Sequence, residues 1–339
     1  MNTSILRRAT RSLPRKTTST GRAALVQRTP CLISTPIHQR PMHSSGNSSA
    51  KVMNTDPRET TNENKLPPGT NVGRKRFADF ELAGKVFIVT GGAQGLGLTL
   101  AESLVEAVYC LDRADHPNEG WQEAQKRVVR EWGGSLHYRK QDVKDVEGLD
   151  KLIASIADEN QGLDGVIAAA GVQHISPTIE YQPDEVADML SINYTGVFMT
   201  AKSSAKQMMK YKKHGSICMI ASISGMKANR GLISPVYNSS KAAVIQLARN
   251  LAMEWSPVQK DGTGGIRVNC ISPGHIVTPM VEKNFEEVPG LREEWEREIM
   301  MGRLAETQEF KGAALFLLSN ASSYMTGNNL VIDGGHSSW

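Results

Sequence analysis

The chain has 339 residues, 40% of them hydrophobic and 22% charged. That suits one soluble α/β domain plus an extension, and no apolar run reaches the roughly 18 residues that a membrane-spanning helix needs. The net charge of +4 conceals an asymmetry: nine of the 39 basic residues but none of the 35 acidic ones fall in residues 1–51, leaving 30 against 35, or −5, in residues 52–339. A mildly acidic body gives no footing for nucleic-acid binding.

The first segment, residues 1–50, is rich in Arg, Ser and Thr and lacks acids, the composition of a mitochondrial transit peptide. Gln39 to Ser45, an Arg shortly before a small polar run, resembles the end of such a presequence, which places removal between about residues 40 and 52. This implies a mitochondrial matrix location; a basic tail with no targeting role, and hence a cytoplasmic protein, is the alternative. No apolar stretch follows the charges, so a secretory signal is not indicated. Residues 51–76 are polar, with Pro67, Pro68 and Gly69 in a row, and read as a linker. The folded body is expected over residues 77–339.

Lys85 to Thr90 is a short apolar, β-branched run suited to a buried parallel strand. Thr90-Gly91-Gly92-Ala93-Gln94-Gly95-Leu96-Gly97 follows, and then an amphipathic helix with Leu96, Leu100, Leu104 and Val105 on one face. Strand, glycine-rich turn and helix start come in the order that seats a pyrophosphate on a helix N-terminus, with glycines allowing close backbone approach. The next strand, Val108 to Leu111, ends at Asp112. A carboxylate there accepts from both adenosine ribose hydroxyls and repels a 2′-phosphate, which favours NAD. Arg113 follows at once and would instead pair with the 2′-phosphate of NADP.

Between Gly97 and Asp112, Glu106-Ala107-Val108 offers no residue suited to a left-handed helix end. Either the helix stops early or the turn is strained. Further strands are expected at Ser135 to Gln141, ending at Asp142-Val143, and at Gly165 to Ala169, ending at Ala170-Gly171. Repeated strand–helix alternation specifies a Rossmann-type, doubly wound parallel sheet of about seven strands with helices on both faces.

Tyr237 and Lys241 stand four residues apart at the start of a helical pattern running to about Trp255, and so share one helix face. A tyrosine holds its proton to a pKa of about 10, and a nearby ammonium lowers that toward the working range of a general acid/base. A strand from Ser216 to Ile220 ends at Ala221-Ser222-Ile223-Ser224-Gly225, where ligands bind in such sheets. Ser222 or Ser224 is placed to hydrogen-bond a substrate carbonyl. Asn193 falls inside a long helical stretch, either as a satisfied core amide or as the holder of a proton-relay water. Cys110, Cys218 and Cys270 each lie in an apolar run and read as small buried thiols. No C-x-x-C pair and no H-x-x-x-H spacing indicates a metal site.

Together these residues resemble the short-chain dehydrogenase/reductase family over about residues 80–339. The TGxxxGxG motif is Thr90, Gly91, Gly95 and Gly97; the Asn-Ser-Tyr-Lys tetrad is Asn193, Ser222, Tyr237 and Lys241. A later Pro273-Gly274 precedes Ile276 and Thr278, a stretch that the resemblance assigns to the nicotinamide carboxamide and phosphates. The resemblance implies Tyr237 as proton donor or acceptor, with Lys241 lowering its pKa and binding the nicotinamide ribose. Ser222 would orient the substrate oxygen and Asn193 would hold the relay water. It also implies a homotetramer built partly on the helices around 184–212 and 238–255.

The 15-residue Ser222–Tyr237 spacing and the Asp-Gly-Gly-His ending resemble fungal polyol dehydrogenases and ketose reductases. The expected reaction is therefore hydride transfer between a secondary alcohol and its ketone. A 3-oxoacyl or lipid-like ketone reductase, and a weakly active cofactor-binding scaffold, stay open. Two departures stand out: Ala168-Ala169-Ala170-Gly171 replaces the family's N-N-A-G, and the Gly97–Asp112 segment is short by about three residues. In the substrate stretch 275–304, Met280, Phe285, Trp295, Met300 and Met301 either line a pocket or form the packed side of a helix pair, the latter expected. His174 and His275 are expected at the surface.

Overall fold

The structure, a computed structural model, describes residues 77–104 and 106–339. The expected transit peptide and linker, and Val105, lie outside the described residues. Seven parallel strands form one sheet in the order β3-β2-β1-β4-β5-β6-β7. They are β1 Val86–Thr90, β2 Ala107–Asp112, β3 Ser135–Lys140, β4 Gly165–Ala168, β5 Ser216–Ile220, β6 Arg267–Pro273 and β7 Asn329–Ile332. The helices are α1 Gly95–Leu104, α2 Glu119–Trp132, α3 Val146–Glu159, α4 Pro183–Leu190, α5 Val197–Lys210, α6 Pro235–Trp255, α7 Pro279–Glu287, α8 Leu291–Glu298 and α9 Lys311–Leu318.

Successive strand side chains point to opposite faces, and here both faces are apolar. Val86 and Ile88 join a core with Leu149 and Ile153 of α3, Ala201 and Ala205 of α5 and Val244 and Ala248 of α6. Phe87 and Val89 join a second core with Leu100 and Leu104 of α1, Ala124 and Val128 of α2 and Ala314 and Leu317 of α9. Each fully buried large side chain contributes about 1.5–3 kcal/mol, so the sheet is held from both sides. Cys110, Cys218 and Cys270 are free and buried in these cores.

The strand order reverses between β1 and β4, which opens a crevice at the C-terminal ends of the strands. The short α1–β2 connection is met by a helix of ten residues that stops at Leu104. Strand β2 still pairs in full register, Val86 opposite Ala107 through Thr90 opposite Leu111. The Glu106 carbonyl accepts from Ser135 N at 2.9 Å, so the connection is tied to the start of β3.

Asn193 lies inside one long helical stretch, which runs without a break from α4 through a wider π-helical turn at Ser191–Gly196 into α5. Such a turn inserts an extra residue, shifting every following side chain around the axis. Gly196 ends it, and a Cβ there would lie 2.7 Å from Val143 Cγ2.

Candidate active site

The glycine-rich loop leaves β1 at the crevice. Gly91 has φ +68°, and a Cβ on it would lie 2.8 Å from Ala170 Cα; one on Gly97 would lie 2.1 Å from the Gly91 carbonyl oxygen. The loop therefore folds flat against the turn after β4, and no side chain fits at either point. Gly95, φ +54°, faces open space, with Pro279 Cδ at 3.8 Å the nearest atom to a Cβ there. The α1 N-terminus begins at this residue, and Leu96 packs its side chain onto the core. Thr90 is buried, and its carbonyl accepts from Ala169 N at 3.2 Å. This flat, open-topped cradle fits a dinucleotide pyrophosphate.

Asp112 closes β2 at the loop's edge. Its carboxylate accepts from Ala93 N at 3.2 Å and Arg113 N at 2.8 Å, while the Arg113 side chain is exposed. At the end of β3, Asp142 accepts from Lys144 N at 2.9 Å and Val143 is buried against the π-helical turn. Ala170 and Gly171 follow β4. A Cβ on Gly171 would lie 3.4 Å from both Asn193 Oδ1 and Lys241 Nζ, so this glycine sits between two of the expected site residues.

Asn193 is fully buried. Its Nδ2 donates to the Val172 carbonyl at 2.9 Å and to Ser240 Oγ at 3.1 Å, and its Oδ1 accepts from Val172 N at 2.9 Å. The side chain thus clamps the loop after β4 to α6. Ser240, which donates to the Tyr237 carbonyl at 2.7 Å, is a partner that sequence reasoning missed; its one signal was its place directly before Lys241.

Helix α6 starts at Pro235, whose fixed φ suits a first turn, and carries Tyr237 and Lys241 to the crevice. Lys241 is buried, and its Nζ donates to the Ile220 carbonyl at the end of β5, at 2.9 Å. Burial lowers its pKa to about 8, with Cys270 opposing. Tyr237 is half-buried. Desolvation pushes its phenol upward, opposed by the neighbouring Ser222 hydroxyl. Lys241 Nζ stands 5.6 Å from the Tyr237 ring centroid and is aimed at the Ile220 carbonyl. Ser222 is buried, accepting from Ser224 N at 3.1 Å and donating to Ser224 Oγ at 3.1 Å.

Pro273, the last residue of β6, is buried, and a Cβ on Gly274 would lie 2.7 Å from Asp333 Cα. Ile276 is buried and pairs with Ala305. Thr278 caps α7 by accepting from Val281 N at 3.3 Å. In the following stretch Trp295 and Phe285 pack with Leu232, Leu291 and Leu304, while Met280, Met300 and Met301 are exposed. Helices α7 and α8 are thus a packed pair.

His174 lies at the surface, 3.7 Å from Glu185. His275 does not: it is buried and stacked on Trp295 with centroids 3.6 Å apart, and desolvation lowers its pKa to about 3. The expected surface position is corrected because α8 and the C-terminal His336 close over it. A cleft of about 750 Å³, lined by Val172, His174, Asp184, Glu185, Asp188 and Ser191 among others, opens beside the Asn193 clamp.

Residues 91–337 match the family model described as enoyl-(acyl carrier protein) reductase. A short-chain dehydrogenase/reductase of Aspergillus versicolor, notP′, is 37% identical over 77% of this chain and 89% of its own length. The chain is a short-chain dehydrogenase/reductase. Within that family it is similar to a D-arabinitol 2-dehydrogenase (ribulose-forming) of Candida albicans, 34% identical over 77% of this chain and 95% of the relative. The solved structure of the NADPH-dependent 3-quinuclidinone reductase of Rhodotorula rubra superposes with a TM-score of 0.68 at 32% identity, covering 77% of this chain and 94% of that one. As a member of this family the chain is an oxidoreductase acting on CH–OH groups, with relatives among the polyol dehydrogenases.

Proposed function

We propose that this enzyme interconverts a polyol and its ketose, with NAD as the preferred cofactor and Tyr237 as the proton-transfer group. The observation that carries this reading is the convergence of Ser222, Tyr237 and Lys241 at the end of β5, beside a glycine loop with no room for side chains. The bound nicotinamide supplies the hydride acceptor or donor. Thr90, Gly91, Gly95, Leu96 and Gly97 would hold its pyrophosphate, with Asp142, Val143, Ala170 and Gly171 along the adenine side and Pro273, Gly274, Ile276 and Thr278 toward the nicotinamide. Asp112 would take the adenosine ribose, and its carboxylate at the loop edge supports NAD over NADP; Arg113 is the competing feature.

In ketose reduction, Tyr237 gives its phenolic proton to the carbonyl oxygen as hydride reaches the carbon. In polyol oxidation the phenolate takes the hydroxyl proton as hydride leaves. Ser222 donates to the same oxygen. Lys241 would reach the nicotinamide ribose and keep the phenolate form accessible once its charge lies within the closed site. Asn193 holds the Val172 loop against α6 and so sets the floor on which these groups meet.

A polyol substrate is supported by the relatives, one of which is named for D-arabinitol. A lipid-like ketone finds no comparable support, since Phe285 and Trp295 pack within the helix pair. The test is titration of the protein with NADH and NADPH, followed by nicotinamide fluorescence, then a polyol and ketose panel. NADH should bind more tightly, and Tyr237→Phe should reduce kcat at least about a hundredfold. Tighter NADPH binding overturns the cofactor choice; unchanged kcat in Tyr237→Phe overturns the mechanism.

A further inference from the structure

A buried polar chain runs away from Ser222. Ser224, also buried, accepts at Oγ from Ser222 Oγ and, at 2.8 Å, from Asn229 Nδ2. The Asn229 amide is held by Asn238, the neighbour of Tyr237: Asn238 Oδ1 accepts from Ser234 Oγ at 3.0 Å and faces Asn229 Nδ2 at 3.5 Å. Turning the Asn229 amide over would set two carbonyl oxygens face to face. Its present orientation leaves Asn229 Oδ1 buried without a hydrogen-bond partner. The amide nitrogen, facing both Ser224 Oγ and Asn238 Oδ1, thus keeps a donor, not an acceptor, on Ser224.

We propose that Asn229 is a positioning residue that sets the direction of the Ser222 hydroxyl through Ser224. This rests on the dehydrogenase reading of the Ser222–Tyr237 site. An amide nitrogen can only donate. With one Ser224 lone pair filled by Asn229, the Ser224 proton has no acceptor on that side and can turn to Ser222 Oγ. The Ser222 proton is then released toward a substrate carbonyl oxygen. The chain reads Asn229 N–H to Ser224 O–H to Ser222 O–H to substrate, each hydroxyl accepting one bond and donating the next. Without substrate, Ser222 donates back to Ser224; binding reverses that one bond and moves no other group. An ionised carboxylate at position 229 would draw the Ser224 proton away and leave the Ser222 proton trapped on Ser224.

The experiment compares wild type, Asn229→Ala, Asn229→Asp and Tyr237→Phe in the full chain, measuring kcat, KM and cofactor Kd for ketose reduction from pH 5 to 9, with a thermal melt of each. The expected result is a kcat loss of about tenfold for Asn229→Ala and about a hundredfold for Asn229→Asp at pH 8, with cofactor Kd unchanged. Asn229→Asp should also regain activity as pH falls and its carboxyl becomes a donor, while Asn229→Ala keeps the wild-type profile shape. A structural role alone gives no such acid recovery, and its losses follow the melting temperature. Losses that follow Tm in both variants, or kcat within twofold of wild type in both, overturn the proposal. No wild-type turnover, or none lost in Tyr237→Phe, brings down the dehydrogenase reading instead, and this inference with it.

Discussion

Burying the Lys241 ammonium beneath the end of β5 works against the fold. Its pKa of about 8 stands below the 10.5 of a free lysine, because the charged form loses water and gains chiefly the Ile220 carbonyl. Below about pH 8 the folded and unfolded chains both hold the proton, and the penalty is present in full. Between about 8 and 10.5 the folded chain releases its proton first, so stability rises with pH; above 10.5 the penalty has gone. At about 1.36 kcal/mol per pH unit, less the lost Ile220 bond, Lys241→Met should stabilise the protein at pH 7 by about 1–3 kcal/mol. That gap should close by about pH 10.5, and turnover should be lost. Urea unfolding at the two pH values checks it; equal stability of variant and wild type at pH 7 would show that the ammonium is well compensated.

The same residues show what sequence reveals and what it hides. The four-residue spacing of Tyr237 and Lys241 is a one-helix relation and was legible, as was the placement of Ser222 at a strand end. Asn193 was ambiguous because its partners, the Val172 backbone and Ser240, lie 21 and 47 positions away. His275 read as a surface residue because the ring that covers it, Trp295, belongs to another element, and no local pattern encodes a stack between elements.

At the scale of elements, β1, β4 and β5 were legible because each is a short apolar run, buried along its whole length, that includes β-branched residues. Expected ends at Gln141 and Ala169 differ from the observed Lys140 and Ala168 by one residue. The π-helical turn at Ser191–Gly196 left no mark on the helical periodicity, since one inserted residue is within the scatter of an apolar stripe. The short α1–β2 connection is the element most open to test. Without a left-handed end residue, α1 stops after ten residues and hands over to β2 within two positions. Inserting a glycine-containing three-residue turn before Ala107 supplies the missing helix end, which typically contributes about 1 kcal/mol. Strand β2 already pairs in register, so the insertion should leave Asp112 in place. Differential scanning calorimetry and an NADH titration should give a higher Tm, tighter binding, or both. No change in either would mean that the early stop is fully tolerated.

For the whole molecule, the feature that organises the chain is its division of charge. Nine basic residues and no acid lie in residues 1–51, against a net −5 over residues 52–339. The strands and the residues of the proposed site all lie after Phe77. A segment that is basic and rich in hydroxyl residues has the composition of an import address: positive charge is drawn toward a compartment held at negative potential. The full chain incubated with energised mitochondria should become protease-protected and shorter, with a new N-terminus between about residues 40 and 52. Dissipating the membrane potential should abolish both changes. The processed protein should focus at an acidic isoelectric point, where the full chain focuses near 8.8. Its Tm and cofactor affinity should match those of the full chain. A chain that stays full-length and protease-sensitive would instead assign the basic segment no targeting role and leave the enzyme in the cytoplasm.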